Sequence, residues 1–242
     1  MEAIFSLIKI SLKSKSPSFA TVISNIPLEI RIYIYNRMFH NLVNTFIIPI
    51  YEQISEERML LLNIVFILLS YGFGCINGAY LVGQYRGIGD IRTFGSSNAG
   101  ARNAGRVLGK GAFVGTVGID ALKTVIPLLV AELLFDVNHI TIAWMALALL
   151  IGHIWPVHMQ FRGGKGVVVY LATALVMAPI ALVATAFILL IGLVFKLSFS
   201  IAGFAGMLMI PLYLLVRAEW FQAGLFLILL CIVAVAHRWG KH

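Results

Sequence analysis

Charged residues are scarce in this chain of 242 residues: they make up 12% of it, whereas hydrophobic residues make up 60%. A soluble domain usually carries about 25% charged residues, so this composition excludes an ordinary soluble protein. Apolar runs long enough to cross about 30 Å of hydrocarbon recur from Met59 to Ala236. The composition therefore predicts an all-α, polytopic helical membrane protein.

Cysteine is almost missing, since the chain has only Cys75 and Cys231. Both lie inside apolar runs without the spacing of a metal site, and we interpret them as packing residues. His153 and His158 do not share a helix face, and no carboxylate or thiol accompanies them in the sequence. We expect neither a metal ion nor a cofactor.

Acidic residues are few as well: 10 Asp and Glu stand against 18 Lys and Arg, which gives a net charge of +8. A basic chain can bind nucleic acid, but here the basic residues are scattered along loops that flank apolar segments. Anionic lipid headgroups or an anionic substrate explain that distribution better. We therefore expect membrane lipids as partners and no nucleic acid.

The apolar segments predict about seven transmembrane helices. The fourth is shorter than a span needs, so a re-entrant or short helix is expected near residues 164–178. The predicted bounds are 59–83, 111–135, 140–159, 167–178, 180–195, 200–216 and 221–236.

Basic residues also orient these helices. With seven spans, most Lys and Arg of the connecting loops fall on the side that holds the loops after the first, third and fifth spans and the C-terminus. Positively charged loops favour the cytoplasm, so we predict that this side is cytoplasmic. Residues 59–242 then form the membrane-embedded domain.

Residues 1–58 do not fit this topology, because they carry several basic residues on the side predicted to lie outside. Pro17, Pro27 and Pro49 interrupt their apolar stretches. We interpret this N-terminal extension as interfacial or poorly ordered and assign it no function.

The first motif, Gly95 to Arg106, lies in the loop after the first span and is rich in glycine. Glycines let backbone N–H groups approach an anion, Ser96, Asn98 and Asn103 add neutral donors, and Arg106 adds a cation suited to phosphate. A small-residue helix-packing segment is the alternative, but it explains only the glycines. The motif favours anion binding.

The second motif is Gly163-Gly164-Lys165-Gly166 at the start of the fourth segment. It offers backbone N–H groups, a helix N-terminus and a lysine to an anion. It is not a Walker loop, because Met159 stands where that loop has its first glycine. A basic turn without a ligand is an equal alternative.

Two further polar segments lie on the same predicted side. Ser198 and Ser200 belong to a turn that starts at Lys196, and such serines either bind a ligand or cap a helix. The C-terminal segment that starts at His237 is basic and on its own indicates a membrane-anchoring tail.

Within the second span, Asp120 and Lys123 are three residues apart, so they share a helix face and are predicted to form a pair. Charges inside a membrane are energetically expensive and have a function or a structural partner. We expect this pair to support the first motif rather than to take part in the chemistry directly.

These motifs together resemble the bacterial acyl-phosphate:glycerol-3-phosphate acyltransferases, the PlsY family. Gly95 to Arg106 is similar to that family's motif G-S-G-N-x-G-A-T-N-x-x-R. Gly152-His153 with Pro156, followed by 163–167, is similar to its second motif, and Asp120 and Lys123 fall where the family has an Asp and a Lys. The resemblance covers the chain from Met59 to its end.

The resemblance implies an enzyme of the cell membrane, with its site at the cytoplasmic face, that moves an acyl group from acyl phosphate to glycerol-3-phosphate. It also implies that no metal is needed. We expect a monomer. The residues that it implies are catalytic Ser96, Lys165 and His237, with Asn98, Asn103, Arg106, Gly163, Gly164, Ser198 and Ser200 binding substrate.

Three positions depart from the family pattern. Ser97 replaces a glycine, Arg102 replaces a threonine, and Gly240 replaces an asparagine. A divergent or inactive paralogue that binds lipid or phosphate is therefore an alternative. A small-anion transporter is a more distant one, because it would show polar residues in two inverted halves, and no such repeat is visible.

Overall fold

The computed structural model describes residues 56–239 continuously and, before them, only positions 27, 33, 37, 40, 41 and 45. Contacts divide the chain into two units, Met1–Ser55 and Glu56–His242. The predicted character of residues 1–58 lies almost wholly outside the described residues, as does Gly240, and both stay predictions.

Residues 56–239 are helical, with two short 3₁₀ turns and no strand in that range, so the predicted all-α class is confirmed. The α-helices are α1 (Glu56–Cys75), α2 (Gly78–Tyr85), α3 (Ala101–Leu108), α4 (Lys110–Phe135), α5 (His139–Ile154), α6 (Val167–Met177), α7 (Ala181–Val194), α8 (Phe199–Val216) and α9 (Trp220–Trp239). The 3₁₀ turns are Ile91–Thr93 and Val157–Met159.

The first predicted span is broken into α1 and α2, which meet at a bend of 42°. Asn77 lies at the break, where its side-chain oxygen accepts a hydrogen bond from the backbone N–H of Tyr80 at 2.9 Å and caps α2. An asparagine favours a helix start over a helix interior because it satisfies an N–H group that a new helix leaves without a partner. One predicted helix therefore becomes two.

The number of spans is the point on which the prediction of seven is not confirmed. In the part of the chain that the structure describes, four helices are long and apolar enough to cross a membrane, or five if the bent pair counts as one. Helices α6 and α7 have 11 and 14 residues. At about 1.5 Å per residue, neither alone covers a hydrocarbon layer of about 30 Å. The short helix expected near 164–178 is present as α6.

Helix α5 lies at the centre of the core, and most of its side chains are buried. Helix α1 packs against it at very short range. A Cβ on Gly74 of α1 would overlap the carbonyl of Leu149, and a Cβ on Gly152 of α5 would overlap the carbonyl of Tyr71. Two glycines on opposite helices thus bring the backbones of α1 and α5 together, as small residues do in membrane helix pairs.

Helices α7 and α8 form a second close pair. A Cβ on Gly192 would lie 2.6 Å from the Cβ of Ala202, and one on Gly206 would lie 2.8 Å from the carbonyl oxygen of Thr185. Apolar side chains on the outside of the fold stay exposed, such as Val183 at 71%. Such a surface fits a bilayer rather than water.

Candidate active site

Asn103 organises the loop of the first motif. Its side chain is 1% exposed and uses both ends: the oxygen accepts from the backbone N–H of Ser96 at 2.8 Å and lies 3.1 Å from the Ser96 hydroxyl. The amide nitrogen donates to the carbonyls of Ile91 and Phe94 at 3.2 and 3.0 Å. Asn103 therefore fixes the position of Ser96, and substrate binding by Asn103 itself stays a prediction.

The second half of the first motif forms α3 rather than an open loop. Asn103 and Arg106 lie on this helix, which ends at Leu108 and is followed by Gly109 with φ of +86°. Glycine adopts that backbone conformation readily, and it allows α4 to start at the very next residue. Arg106 is exposed and makes no ion pair within residues 56–239, so its guanidinium is available to an anion.

Arg92 joins the first loop to the second motif. Its guanidinium forms two hydrogen bonds to the Asp90 carboxylate, from Nη2 to Oδ2 at 2.6 Å and from Nε to Oδ1 at 2.9 Å. Its Nη1 donates to the backbone carbonyls of Met159 at 2.7 Å and Arg162 at 3.1 Å. The hydrogen bonds from Arg92 lower the pKa of the Asp90 carboxyl, so this pair stays ionised in moderate acid. Arg92 thus holds the two loops together, and the hydrogen bonds to Asp90 and the loop carbonyls leave its guanidinium unavailable to a substrate.

The first two of the three glycines in the second motif, Gly163 and Gly164, pack closely against the end of α5. The backbone N–H of Gly163 donates to the carbonyl of Ile154 at 2.9 Å, and that of Gly164 donates to the carbonyl of His153 at 3.0 Å. The expectation that these N–H groups are available to an anion is therefore wrong in this conformation. A Cβ on Gly164 would overlap the His153 ring and lie 2.9 Å from the carbonyl oxygen of Ala99.

Beneath the two motifs lies a buried cluster around Lys123. The Lys123 ammonium lies 3.0 Å from Asp120 Oδ1, which confirms the predicted pair, and 2.9 Å from His153 Nδ1. It also donates to the backbone carbonyl of Gly74 in the last turn of α1, at 2.9 Å, and to that of Ile76 just after the helix.

The cluster supports the first motif through the break between α1 and α2. The backbone N–H of Gly78 donates to Asp120 Oδ1 at 3.0 Å, and the Asn77 amide donates to the carbonyl of Ala99 at 3.0 Å. Asn77 and His153 are the residues that sequence reasoning left without a role. The available signal was their polarity inside apolar runs, because buried polar groups need partners.

The third polar segment contributes a helix cap. Ser198 Oγ accepts from the backbone N–H of Ile201 at 3.3 Å at the start of α8, so the capping alternative is what the structure shows for this serine. Ser200, the second residue of α8, is half-buried. The guanidinium of Arg102 on α3 lies 4.9 Å from the ring centroid of Phe199, within the range of a cation–π contact.

His237 and Lys165 complete the set of predicted site residues, and both are half-buried. The His237 ring meets the Phe204 ring of α8 edge-on, with 5.3 Å between centroids. A Cβ on Gly166, next to Lys165, would lie 3.3 Å from Val233 of α9. Helix α9, which ends in the fourth polar segment, therefore packs against α8 through His237 and against the second motif through Val233.

Three of the polar segments are thus linked by direct contacts, and the helix that carries the fourth packs beside them. The first motif touches the second at Ala99 and Gly164, and it touches the α8 turn at Arg102 and Phe199. Asn98 is half-buried beside Gly100 in the same loop. Among the described residues no group of three His, Cys, Asp or Glu could hold a metal ion. The arrangement suits an anion that is bound by basic and neutral donors.

Comparison with known proteins gives the family. The model of the glycerol-3-phosphate acyltransferase family matches residues 64–240. A glycerol-3-phosphate acyltransferase of Neisseria meningitidis is 37% identical over 175 residues, which is 69% of this chain and 87% of that protein. The match with one from Thermoanaerobacter pseudethanolicus, at 40% identity, covers 47% of this chain and 56% of that protein.

Solved structures agree with this. The glycerol 3-phosphate form of PlsY (YgiH), an integral membrane glycerol 3-phosphate acyltransferase, superposes with a TM-score of 0.66 at 27% identity, over 73% of this chain and 88% of that one. Its lysophosphatidic acid form gives a TM-score of 0.64 at 26% identity. Fold, motifs and relatives therefore agree, and the chain belongs to the glycerol-3-phosphate acyltransferase family of integral membrane proteins.

Proposed function

We propose that this chain transfers a fatty acyl group from acyl phosphate to glycerol-3-phosphate and so makes lysophosphatidate for phospholipid synthesis. One observation carries the proposal: three polar segments touch one another, the helix that carries His237 packs beside them, and the two nearby carboxylates are already paired. Asp90 is bound by Arg92 and Asp120 by Lys123. The remaining cations leave the region positive, as two phosphate-bearing substrates require.

The relatives support the acceptor. The similar proteins are named for glycerol-3-phosphate, and PlsY has been solved in a glycerol 3-phosphate form and in a lysophosphatidic acid form. For the donor, the support is the resemblance of the motifs and the chemistry of the site. Asp90 and Asp120 are paired with cations and neither is available as a general base, so a donor that brings its own phosphate to accept the hydroxyl proton fits this site.

In the proposed reaction the C1 hydroxyl of glycerol-3-phosphate attacks the acyl carbonyl carbon. The bond from that carbon to the phosphate oxygen breaks, inorganic phosphate leaves, and a substrate phosphate takes the hydroxyl proton. Ser96, Lys165 and His237 are assigned to the reacting groups, and Asn98, Arg106 and Ser200 to substrate positioning. Positioning and charge stabilisation are then the main contributions of the protein.

The reaction is tested with the purified full-length chain in detergent and radiolabelled glycerol-3-phosphate, given palmitoyl phosphate, palmitoyl-CoA or no donor. Labelled lysophosphatidate is expected from the acyl phosphate alone. Lys165→Ala is expected to lower the rate by about 100-fold or more, because a charge that stabilises the transition state is lost. Arg217→Ala is the matched control, since this cation is exposed and pairs only loosely with Glu219 at 3.7 Å.

No product with any donor, from protein shown to be folded, would favour the divergent or inactive paralogue. Arg102→Thr then becomes the informative variant, because it restores the family's residue. A gain of acyl transfer in that variant would show that Arg102 blocks the reaction. Product from palmitoyl-CoA alone would overturn the assignment of the donor and leave that of the acceptor intact.

We also propose that the site faces the cytoplasm, that the membrane is the plasma membrane and that the protein is monomeric. Exposed Gln84, at the end of α2, and exposed His139, at the start of α5, report on opposite sides. In a variant without Cys75 and Cys231, an impermeant maleimide is expected to label Gln84→Cys only in inside-out vesicles and His139→Cys only in right-side-out vesicles. The opposite pattern would reverse the orientation, and a dimer mass in light scattering would contradict a monomer.

A further inference from the structure

A cavity of about 430 Å³ lies in the corner between α3 and the start of α4, and the proposed reaction leaves it without a role. It is lined by Arg102, Gly105, Lys110, Phe113 and Val114. Because Gly105 has no side chain, the backbone of α3 comes close to Phe113, where a Cβ would be only 2.9 Å from the Phe113 Cβ. The two helices therefore form the walls of one amphipathic recess.

The rim of this cavity is positive. Arg102 and Lys110 are exposed, and Nη2 of Arg86 lies 3.7 Å from where a Cβ on Gly111 would be. Neither Arg86 nor Lys110 makes an ion pair within residues 56–239. Cations that are not neutralised by neighbouring carboxylates favour an anionic ligand.

The floor of the cavity is apolar and lies deeper along α4. Phe113 and Val114 follow Lys110 by three and four residues, so they lie on the same side of the helix, about 4–6 Å further along its axis. They are 41% and 66% exposed. Since α4 is long and apolar enough to cross a membrane, the order from its end inward is cation first and apolar surface second.

Arg102 is held in place without losing its capacity to bind. Its guanidinium lies over the face of Phe199, a contact that uses the flat side of the group. The N–H donors around its edge can still form two parallel hydrogen bonds to a phosphate. Arg102, where the family has a threonine, can therefore bind a phosphate at the rim of the cavity.

We propose that this cavity binds an intact anionic phospholipid of the bilayer, with its phosphate between Arg102 and Lys110 and an acyl chain along Phe113 and Val114. A soluble phosphate would use the cations only, whereas a phospholipid carries charge and chain in the order that α4 presents. Acyl phosphate carries charge and chain in the same order, so the proposal further requires that an equal concentration of palmitoyl phosphate does not displace the bound phospholipid; full displacement would place the donor in this cavity and overturn the proposal. Bound lipid ties α3, α4 and, through Phe199, the start of α8 together.

The test titrates the purified full-length chain, in nonionic micelles, with phosphatidylglycerol that carries a fluorescent acyl chain. Phosphatidylcholine with the same label is the zwitterionic control, and glycerol-3-phosphate and inorganic phosphate are the soluble competitors. Saturable binding of phosphatidylglycerol is expected, with little displacement by either competitor at equal concentration. Arg102→Gln and Lys110→Gln are each expected to weaken it about fivefold, the usual contribution of one basic residue near an anionic lipid.

Arg217→Gln removes one exposed cation elsewhere and is expected to leave the affinity unchanged. Val114→Asn keeps both rim cations and is expected to weaken phosphatidylglycerol alone, because only the chain contact is altered. Unfolding temperatures without lipid verify that each variant is folded. Equal affinity for the two lipids, an unchanged affinity in the Arg102→Gln, Lys110→Gln double variant, or full displacement by glycerol-3-phosphate would each overturn the proposal.

Discussion

The buried cluster around Lys123 predicts how the fold responds when one charge is removed. In Lys123→Met the side chain keeps its length and loses its ammonium, so the buried Asp120 carboxylate at 3.0 Å loses its counter-ion. The carbonyls of Gly74 and Ile76 lose a donor as well. Breaking a buried pair from one side destabilises a protein by about 3–5 kcal/mol, because it leaves a charge without compensation.

A double variant separates this reasoning from a simple loss of packing. In Asp120→Asn, Lys123→Met the stranded charge is gone, and the asparagine oxygen can still accept from the backbone N–H of Gly78. The double variant is therefore expected to be more stable than Lys123→Met alone, with a coupling energy of about 1–3 kcal/mol between the two positions.

The assay is the free energy of unfolding in mixed micelles, from titration with sodium dodecyl sulfate followed by far-ultraviolet circular dichroism. Lys110→Met is the matched control: this lysine is exposed at the start of the same helix, and its loss is expected to change stability by less than about 0.5 kcal/mol. The reasoning is refuted if Lys123→Met lowers the free energy of unfolding no more than Lys110→Met does. It is also refuted if the effects of Asp120→Asn and Lys123→Met add in the double variant, because Asp120 and Lys123 would then not be coupled.

Three further predictions concern the loops. Gly164→Ala is expected to lose about 1–3 kcal/mol, because its Cβ would overlap the buried His153 ring, whereas Gly118→Ala, with nothing within 4 Å, is expected to keep or gain stability in the same titration. Asn103→Ala is expected to lose about 1–3 kcal/mol, since its buried partners lose their hydrogen bonds; an unfolding curve equal to that of the parent would contradict its organising role. Because the pKa of Asp90 is lowered, its contribution is fully present above the ordinary value of 3.8 and is lost as the pH falls through the lowered pKa. The unfolding temperatures of Asp90→Asn and the parent should therefore differ near pH 6 and converge in strong acid, and a constant difference would argue against the ion pair.

Features that depend on nearby residues could be predicted from the sequence. The second span was expected at 111–135 and is found at Lys110–Phe135. Its bounds could be predicted because they coincide with the ends of a long apolar run in the sequence. The pair Asp120–Lys123 was predicted for a similar reason, since a spacing of three residues fixes the geometry on a helix.

Features that depend on distant partners could not be predicted. The break at Asn77 is fixed in part by Asp120, which accepts from Gly78 across 42 positions of sequence. The N–H groups of Gly163 and Gly164 were expected to be available, but the carbonyls at the end of α5 satisfy them. The role of His153 rests on Lys123, 30 positions away. Sequence patterns of short range contain none of this information.

The glycine contacts described for α1 with α5 and for α7 with α8 have a consequence for motion. Backbones in direct contact cannot slide without a clash, so we expect each pair to move as one rigid body. Helix α8 is joined to the rest of the fold by Met207, Ile210 and Leu214 in the main buried core, by the hydrogen bond from Tyr170 to the Met207 carbonyl, and by Arg102 over Phe199. Any movement of the α7–α8 pair would therefore carry Ser198 and Ser200 with it and change their distance from the first motif, to which Phe199 and Arg102 connect them.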